Sequence, residues 1–234
     1  MTNICRQHFE RTIAAQEAEA AASQHGAMTM EGFTAYEQQL AQLGNDKARL
    51  KNIQSTEGKV ELKRKLLPEY DAYIAGVLEG GQGAQDDVLT TLMIWRIDVG
   101  DYPGALDIAT YVLQHKLQMP DRFERTTGCV IAEEIAEAAK KAHGAGASFD
   151  RAILQRTADL TADEDMPDEA RAKLMLSLGR AILEGLTLEN PGKPGQVQQG
   201  IDLLGRAIEL HAHCGGKTDK AKAEKLLKNL GQKA

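Results

Sequence analysis

Apolar spacing is the feature that most narrows what this chain can fold into. Residues able to build a core recur three or four positions apart in one segment after another, and no run of apolar–polar alternation reaches a convincing length. The first pattern gathers side chains on one face of a helix; the second, with its period of two, is what a half-buried strand requires. Ala, Leu, Glu, Gln and Lys are abundant and aromatic residues are only 4%. Such residues lose little side-chain freedom in a helix. The expected fold is all-α, with helical hairpins packed around a core.

Residues 5–23 predict a polar, Ala-rich helix whose apolar stripe is Phe9, Ile13 and then only alanines. So thin a stripe seldom holds a helix in place, which predicts an arm or a helix that packs only in an oligomer. A break over 25–32 precedes Phe33, Tyr36, Leu40, Leu43, Leu50 and Ile53, a helical series interrupted near Gly44 and Asn45. A helix from 59 ends at Pro68, and Tyr70, Tyr73, Ile74, Val77 and Leu78 mark another, closed by the glycine-rich turn at 80–83. Over 88–99 apolar residues cover most of a helix circumference, as in a buried central helix. Gly100 and Asp101 turn the chain, and Pro103 falls in the next first turn, where its missing N–H is tolerated. Further helices are expected over 105–113, 126–145, 150–160, 167–182, 197–212 and 218–230.

The prolines and glycines of residues 190–195 read as a linker. The expected domains are therefore 1–67, a helical region for DNA binding or oligomerisation; 68–189, a central helical core; and 190–234, a linker and C-terminal hairpin. The run 100–106 resembles the start of the second helix of a tetratricopeptide unit, and 200–210 is a fainter echo. With about a hundred residues between them and no copies in register, against a ~34-residue period, helix pairs are expected and a repeat array is not.

The net charge is −6 and the isoelectric point near 5.6. That argues against a surface coated in positive charge but leaves room for local basic clusters, which set the field at a contact. Cys5, Cys129 and Cys214 are odd in number and far apart, so neither a disulfide framework nor a zinc knuckle is expected. The N-terminal residues carry charges and no apolar stretch of the signal-peptide kind. No apolar run approaches the roughly 18 residues of a membrane span. A soluble protein of a reduced compartment is expected.

One cluster suits phosphate binding. Lys47, Arg49, Lys51, Lys59, Lys63, Arg64 and Lys65 fall in a short stretch, opposed mainly by Asp46, Glu57 and Glu61. Affinity for a duplex comes largely from neutralised phosphates, so the stretch is either a DNA-contacting surface or a solvated helix face. Asp86 and Asp87 follow the glycine-rich turn. They are candidates for the converging carboxylates of a two-metal nuclease, but their place before an apolar run suits helix capping better, with Asp87 the better placed. Asp163, Glu164, Asp165, Asp168 and Glu169 straddle Pro167 like a helix start. Pro-Asp occurs at 120–121 and 167–168 without the Asp/Glu-x-Lys that nucleases of that pattern carry downstream. No catalytic residue is assigned.

Gly215-Gly216-Lys217-Thr218 looks like a phosphate loop, yet His211 stands where that loop needs its first glycine and no strand precedes it. A glycine C-cap between helices is expected instead. His211, His213 and Cys214 sit too close along a helix to converge on one ion. Trp95 is expected in the core, with Arg96 near Asp98 and Asp101 as a partly buried ion pair or reaching a partner subunit or DNA.

Gly83-Ala84-Gln85-Asp86-Asp87, Trp95-Arg96, Asp98, Gly100-Asp101 and Gly104-Ala105-Leu106 form a specific set. Upstream stand Leu66-Leu67-Pro68 and Gly76-Val77-Leu78-Glu79; downstream, Met119-Pro120, Arg125-Thr126, Glu133-Glu134, Ala142-His143, Leu160-Thr161-Ala162, Asp165-Met166-Pro167-Asp168-Glu169 and Arg171-Ala172-Lys173-Leu174. Across roughly residues 33–185 the chain resembles the small terminase subunit of temperate cohesive-end phages, the type labelled the terminase endonuclease subunit. The resemblance implies a protein of the host cytoplasm that joins a large, ATPase-bearing terminase subunit and recognises the cohesive-end site in concatemeric double-stranded viral DNA. It implies a homo-oligomer, ring-forming assemblies being general among small terminases, and no membrane partner. No cofactor or metal is expected unless the subunit itself cuts, in which case Mg²⁺ would serve. Family members ending in a long Lys/Arg/Pro-rich tail differ from this chain, which has only a Lys-rich helix near its end. Three functions are set against one another: DNA recognition with cleavage by the large subunit, a metal-dependent endonuclease, and a helical adaptor that binds only protein.

Overall fold

Asp86 and Gly100 show how the sequence sets out its central helix. The Asp86 carboxylate accepts the Leu89 amide at 2.8 Å, satisfying a donor that the first turn leaves open. Gly100 then ends the helix in the left-handed region at φ 85°, where a residue without Cβ incurs no clash. The computed structural model describes residues 4–23, 35–120 and 125–233. Among these lie eleven α-helices, one 3₁₀ turn and no strand. The expected break over 25–32, Phe33 and Asp121 lie outside the described residues.

The chain divides into two compact units, Met1–Thr127 and Gly128–Ala234. The boundaries expected at 67/68 and 189/190 each fall inside one of them.

In the first unit, α1 is Ile4–Ser23, α2 Ala35–Lys51, α3 Thr56–Leu66, a 3₁₀ turn Leu67–Glu69, α4 Asp71–Gly80, α5 Asp87–Val99 and α6 Tyr102–Gln114. Helix α5 is buried around most of its circumference, with Val88, Leu89, Leu92, Met93 and Trp95 in the core. Asp101 caps α6 by accepting the Gly104 amide at 3.1 Å, and Pro103 occupies the first turn. Gly44 causes no interruption: α2 runs through it, and Ile53 lies beyond the helix. A single glycine costs a helix only about 1 kcal/mol, which the burial of Leu43 and Leu50 on either side outweighs.

Helix α1 corrects a second expectation. It packs within its own chain, on α4, although Ile4 and Phe9 remain 80% and 65% exposed. The contact rests on small residues. A Cβ at Gly76 would stand 2.7 Å from Cβ of Ala14, and one at Gly80 would stand 2.8 Å from Cβ of Ala15. The two backbones approach because these positions carry almost no side chain.

The second unit holds α7 Thr127–Gly144, α8 Arg151–Leu160, α9 Asp168–Leu183, α10 Gln196–Leu210 and α11 Lys217–Lys233. Cys129, Ile131 and Ile135 of α7, Leu154 of α8 and Leu174 of α9 are fully buried. Helices α9 and α10 pack closely where Gly179 meets Leu204 and Gly200 meets Leu183. Residues 190–195 are tied into this unit: the Gln196 amide donates to the Ile182 carbonyl at 2.9 Å and accepts the Lys193 amide at 3.1 Å. Gly216 belongs to the start of α11 and not to a cap on α10, because its carbonyl accepts the Lys220 amide at 2.9 Å. His211 ends α10 instead. Among the described residues no helix is long and apolar enough to cross a membrane.

Candidate nucleic-acid interface

The basic stretch occupies the C-terminal ends of two successive helices. Arg49 and Lys51 stand in the last turn of α2, and Lys63, Arg64 and Lys65 in the last turn of α3. Unpaired carbonyls there carry partial negative charge and favour cations. Between them Ser55 caps α3 by accepting the Gly58 amide at 3.1 Å. Arg49, Lys51, Arg64 and Lys65 are exposed, whereas Lys47, Lys59 and Lys63 are partly covered.

The structure separates Lys63 from the rest. Its side chain is 17% exposed and its ammonium pairs with Asp98 of α5. It also lies 5.9 Å from the ring centroid of Trp95, within reach of a cation–π attraction. Lys63 thus ties α3 to the core. Arg49 pairs with Asp46 at 2.8 Å, and Glu61 faces Arg64 at 3.0 Å and Lys65 at 3.4 Å. The two Glu61 pairs are exposed on both sides, and such pairs are worth about 0–1 kcal/mol, so a phosphate can displace them; the Asp46 end of the Arg49 pair is buried. Lys51 has no ion-pair partner among the described residues.

Asp46 was legible only as a counter-charge, yet it is 3% exposed and accepts the Tyr70 hydroxyl at 2.8 Å. Burial pushes the Tyr70 phenol up, and the neighbouring carboxylate adds to the effect. Tyr70 in turn meets the Trp95 ring edge-on at 6.4 Å. Arg96 pairs with Asp71 at 2.7 Å and with Asp101; Asp98, the other expected partner, belongs to Lys63.

The acidic candidates are occupied with structure. Asp86, not Asp87, is the N-cap of α5, and Asp87 is its first residue. Asp86 also accepts the Tyr73 hydroxyl at 2.6 Å. Burial raises the Asp86 pKa above the ordinary carboxylate value, against the hydrogen bonds that lower it. Just before it, Gln85 exchanges two hydrogen bonds with the backbone of Gln118, at 2.9 and 3.0 Å. Asp168 and Glu169 lie in the first turn of α9, and Glu164 packs on Gly128. Two-metal cleavage would need carboxylates converging on the ions. Among the described residues no three His, Cys, Asp or Glu side chains come together in that way. The His211 and His213 rings meet edge to face with centroids 6.3 Å apart.

With this geometry in place, comparison identifies the chain. Residues 40–169 match the family model described as phage small terminase subunit. The chain is 42% identical over 228 residues to the terminase, endonuclease subunit, of Escherichia phage P2, covering 97% of this chain and 87% of that protein. It is 26% identical over 187 residues to the probable terminase, endonuclease subunit, of Haemophilus phage HP1, covering 75% of this chain and 64% of that one. No solved structure matches. The chain belongs to the phage small terminase subunit family.

Proposed function

We propose that this subunit recognises the cohesive-end packaging site in concatemeric double-stranded viral DNA and directs its cleavage and packaging by the large terminase subunit. Family membership is the observation that carries this reading. The subunit works in the host cytoplasm as a homo-oligomer, bound to DNA and to the large subunit. The duplex contacts lie along the ends of α2 and α3. Lys51, Arg64, Lys65 and Arg49 approach the phosphates, Lys47 and Lys59 flank them, and Lys63 holds α3 in position. Support comes from the exposure of the first four and from the weakness of the surface pairs that Arg64 and Lys65 make with Glu61.

A second reading, that the subunit itself cuts, is favoured by the names of both relatives, which call them endonuclease subunits. Against it, Asp86 is committed to a helix cap and to Tyr73. The discriminating variant is Lys51→Gln/Arg64→Gln/Lys65→Gln, which leaves the Lys63–Asp98 pair intact. Its affinity for a packaging-site duplex should fall, and the slope of log affinity against log salt should shrink by about one per lost phosphate contact. Unchanged binding would remove these residues from the interface.

A further inference from the structure

We infer that α11 presents a second phosphate-binding face, one that contacts the backbone of double-stranded DNA without reading its bases. The inference rests on the DNA-binding reading above and adds a surface in the other compact unit.

Helix α11 carries six lysines against two acids in a chain whose net charge is −6. Its apolar side is used for folding: Ala223, Leu226 and Leu230 pack with Val197 and Ile201. Asp219 is taken by Arg180 at 2.7 Å, which fixes the helix to α9. Lys217, Lys222, Lys225 and Lys228 then share an arc of about 140° at 100° per residue. All four are exposed, and none has an ion-pair partner among the described residues. Glu224, at the edge of the arc, faces Lys220 at 3.6 Å.

Fold stability does not account for this arrangement. Lys217 stands in the first turn, where the helix dipole disfavours a cation. Lys222, Lys225 and Lys228 repeat every three residues, a spacing at which like charges repel. They rise about 4.5 Å per step along one side of the helix, a row of donors suited to successive phosphates. The α2–α3 cations, by contrast, mostly have carboxylates beside them. Unpaired lysines release bound counterions from DNA without first breaking a protein pair.

The test uses the full-length protein and a labelled random-sequence duplex, with affinity measured by fluorescence anisotropy across a salt series. Lys222→Gln/Lys225→Gln/Lys228→Gln should flatten the log–log salt slope by about three and weaken binding on the order of tenfold or more near 0.1 M salt. The corresponding triple Arg variant should keep the wild-type slope. The inference is overturned if the Gln variant matches wild type while Lys51→Gln/Arg64→Gln/Lys65→Gln weakens; DNA binding would then stand without α11. It is also overturned if the Arg variant loses as much slope as the Gln variant, because charge would not be the cause. No wild-type affinity at low salt would instead sink the underlying DNA-binding reading.

Discussion

Two buried carboxylates, Asp46 and Asp86, each accept a tyrosine hydroxyl in the first unit. Asp86 has the clearer thermodynamic consequence. Burial raises its pKa when folded, so the folded chain holds the proton more tightly than the unfolded chain does. Stability from this group is therefore greatest at low pH and declines as pH rises from the ordinary value of 3.8 through the raised one. Asp86→Asn keeps a capping oxygen and removes the charge. Denaturant unfolding should show the variant gaining on wild type as pH rises through that window; a constant difference would contradict the assignment. Lys63 and Asp98 make a second residue-scale case. A double-mutant cycle with Ala at both positions should give a coupling of about 1 kcal/mol, and no coupling would return Lys63 to the solvated surface. Helix type and the Trp95 core were legible from spacing alone. The partners of Asp46, Asp98 and Gln85 were not, because each bond spans elements whose pairing the linear pattern leaves open.

Helix α1 shows why weak amphipathicity misleads at the next scale. Its stripe of alanines holds too little apolar area to demand a partner, yet the glycines of α4 let the two backbones close on each other. The signal lay in α4, where Gly76 and Gly80 repeat at one-turn spacing. Gly76→Leu would drive a side chain into the Arg11 carbonyl and Ala14. Overpacking of this kind costs about 1–3 kcal/mol. Amide exchange should speed up through α1 while α5 keeps its protection; unchanged α1 exchange would show that the contact tolerates bulk. The stretch at 190–195 holds a contact that its composition does not announce. Its prolines and glycines do break the helix, but Gln196 fastens the loop to α9.

At the scale of the molecule, the stretch that carries the family resemblance is architectural. Gly83 sits at φ 87°, Gln85 bonds to Gln118, Asp86 caps α5, Trp95 fills the core and Gly100 turns the chain. Each of these residues has a structural part in the fold. The surfaces we propose for DNA contact lie elsewhere, at the ends of α2 and α3 and on α11. The most direct test incubates the purified subunit with packaging-site DNA and Mg²⁺ or Mn²⁺, with and without its large partner, and reads binding and cutting in the same samples. The proposed function predicts salt-sensitive binding by the subunit alone and cleavage only when the large subunit is added. Nicking by the subunit alone, abolished by Asp87→Ala, would contradict it.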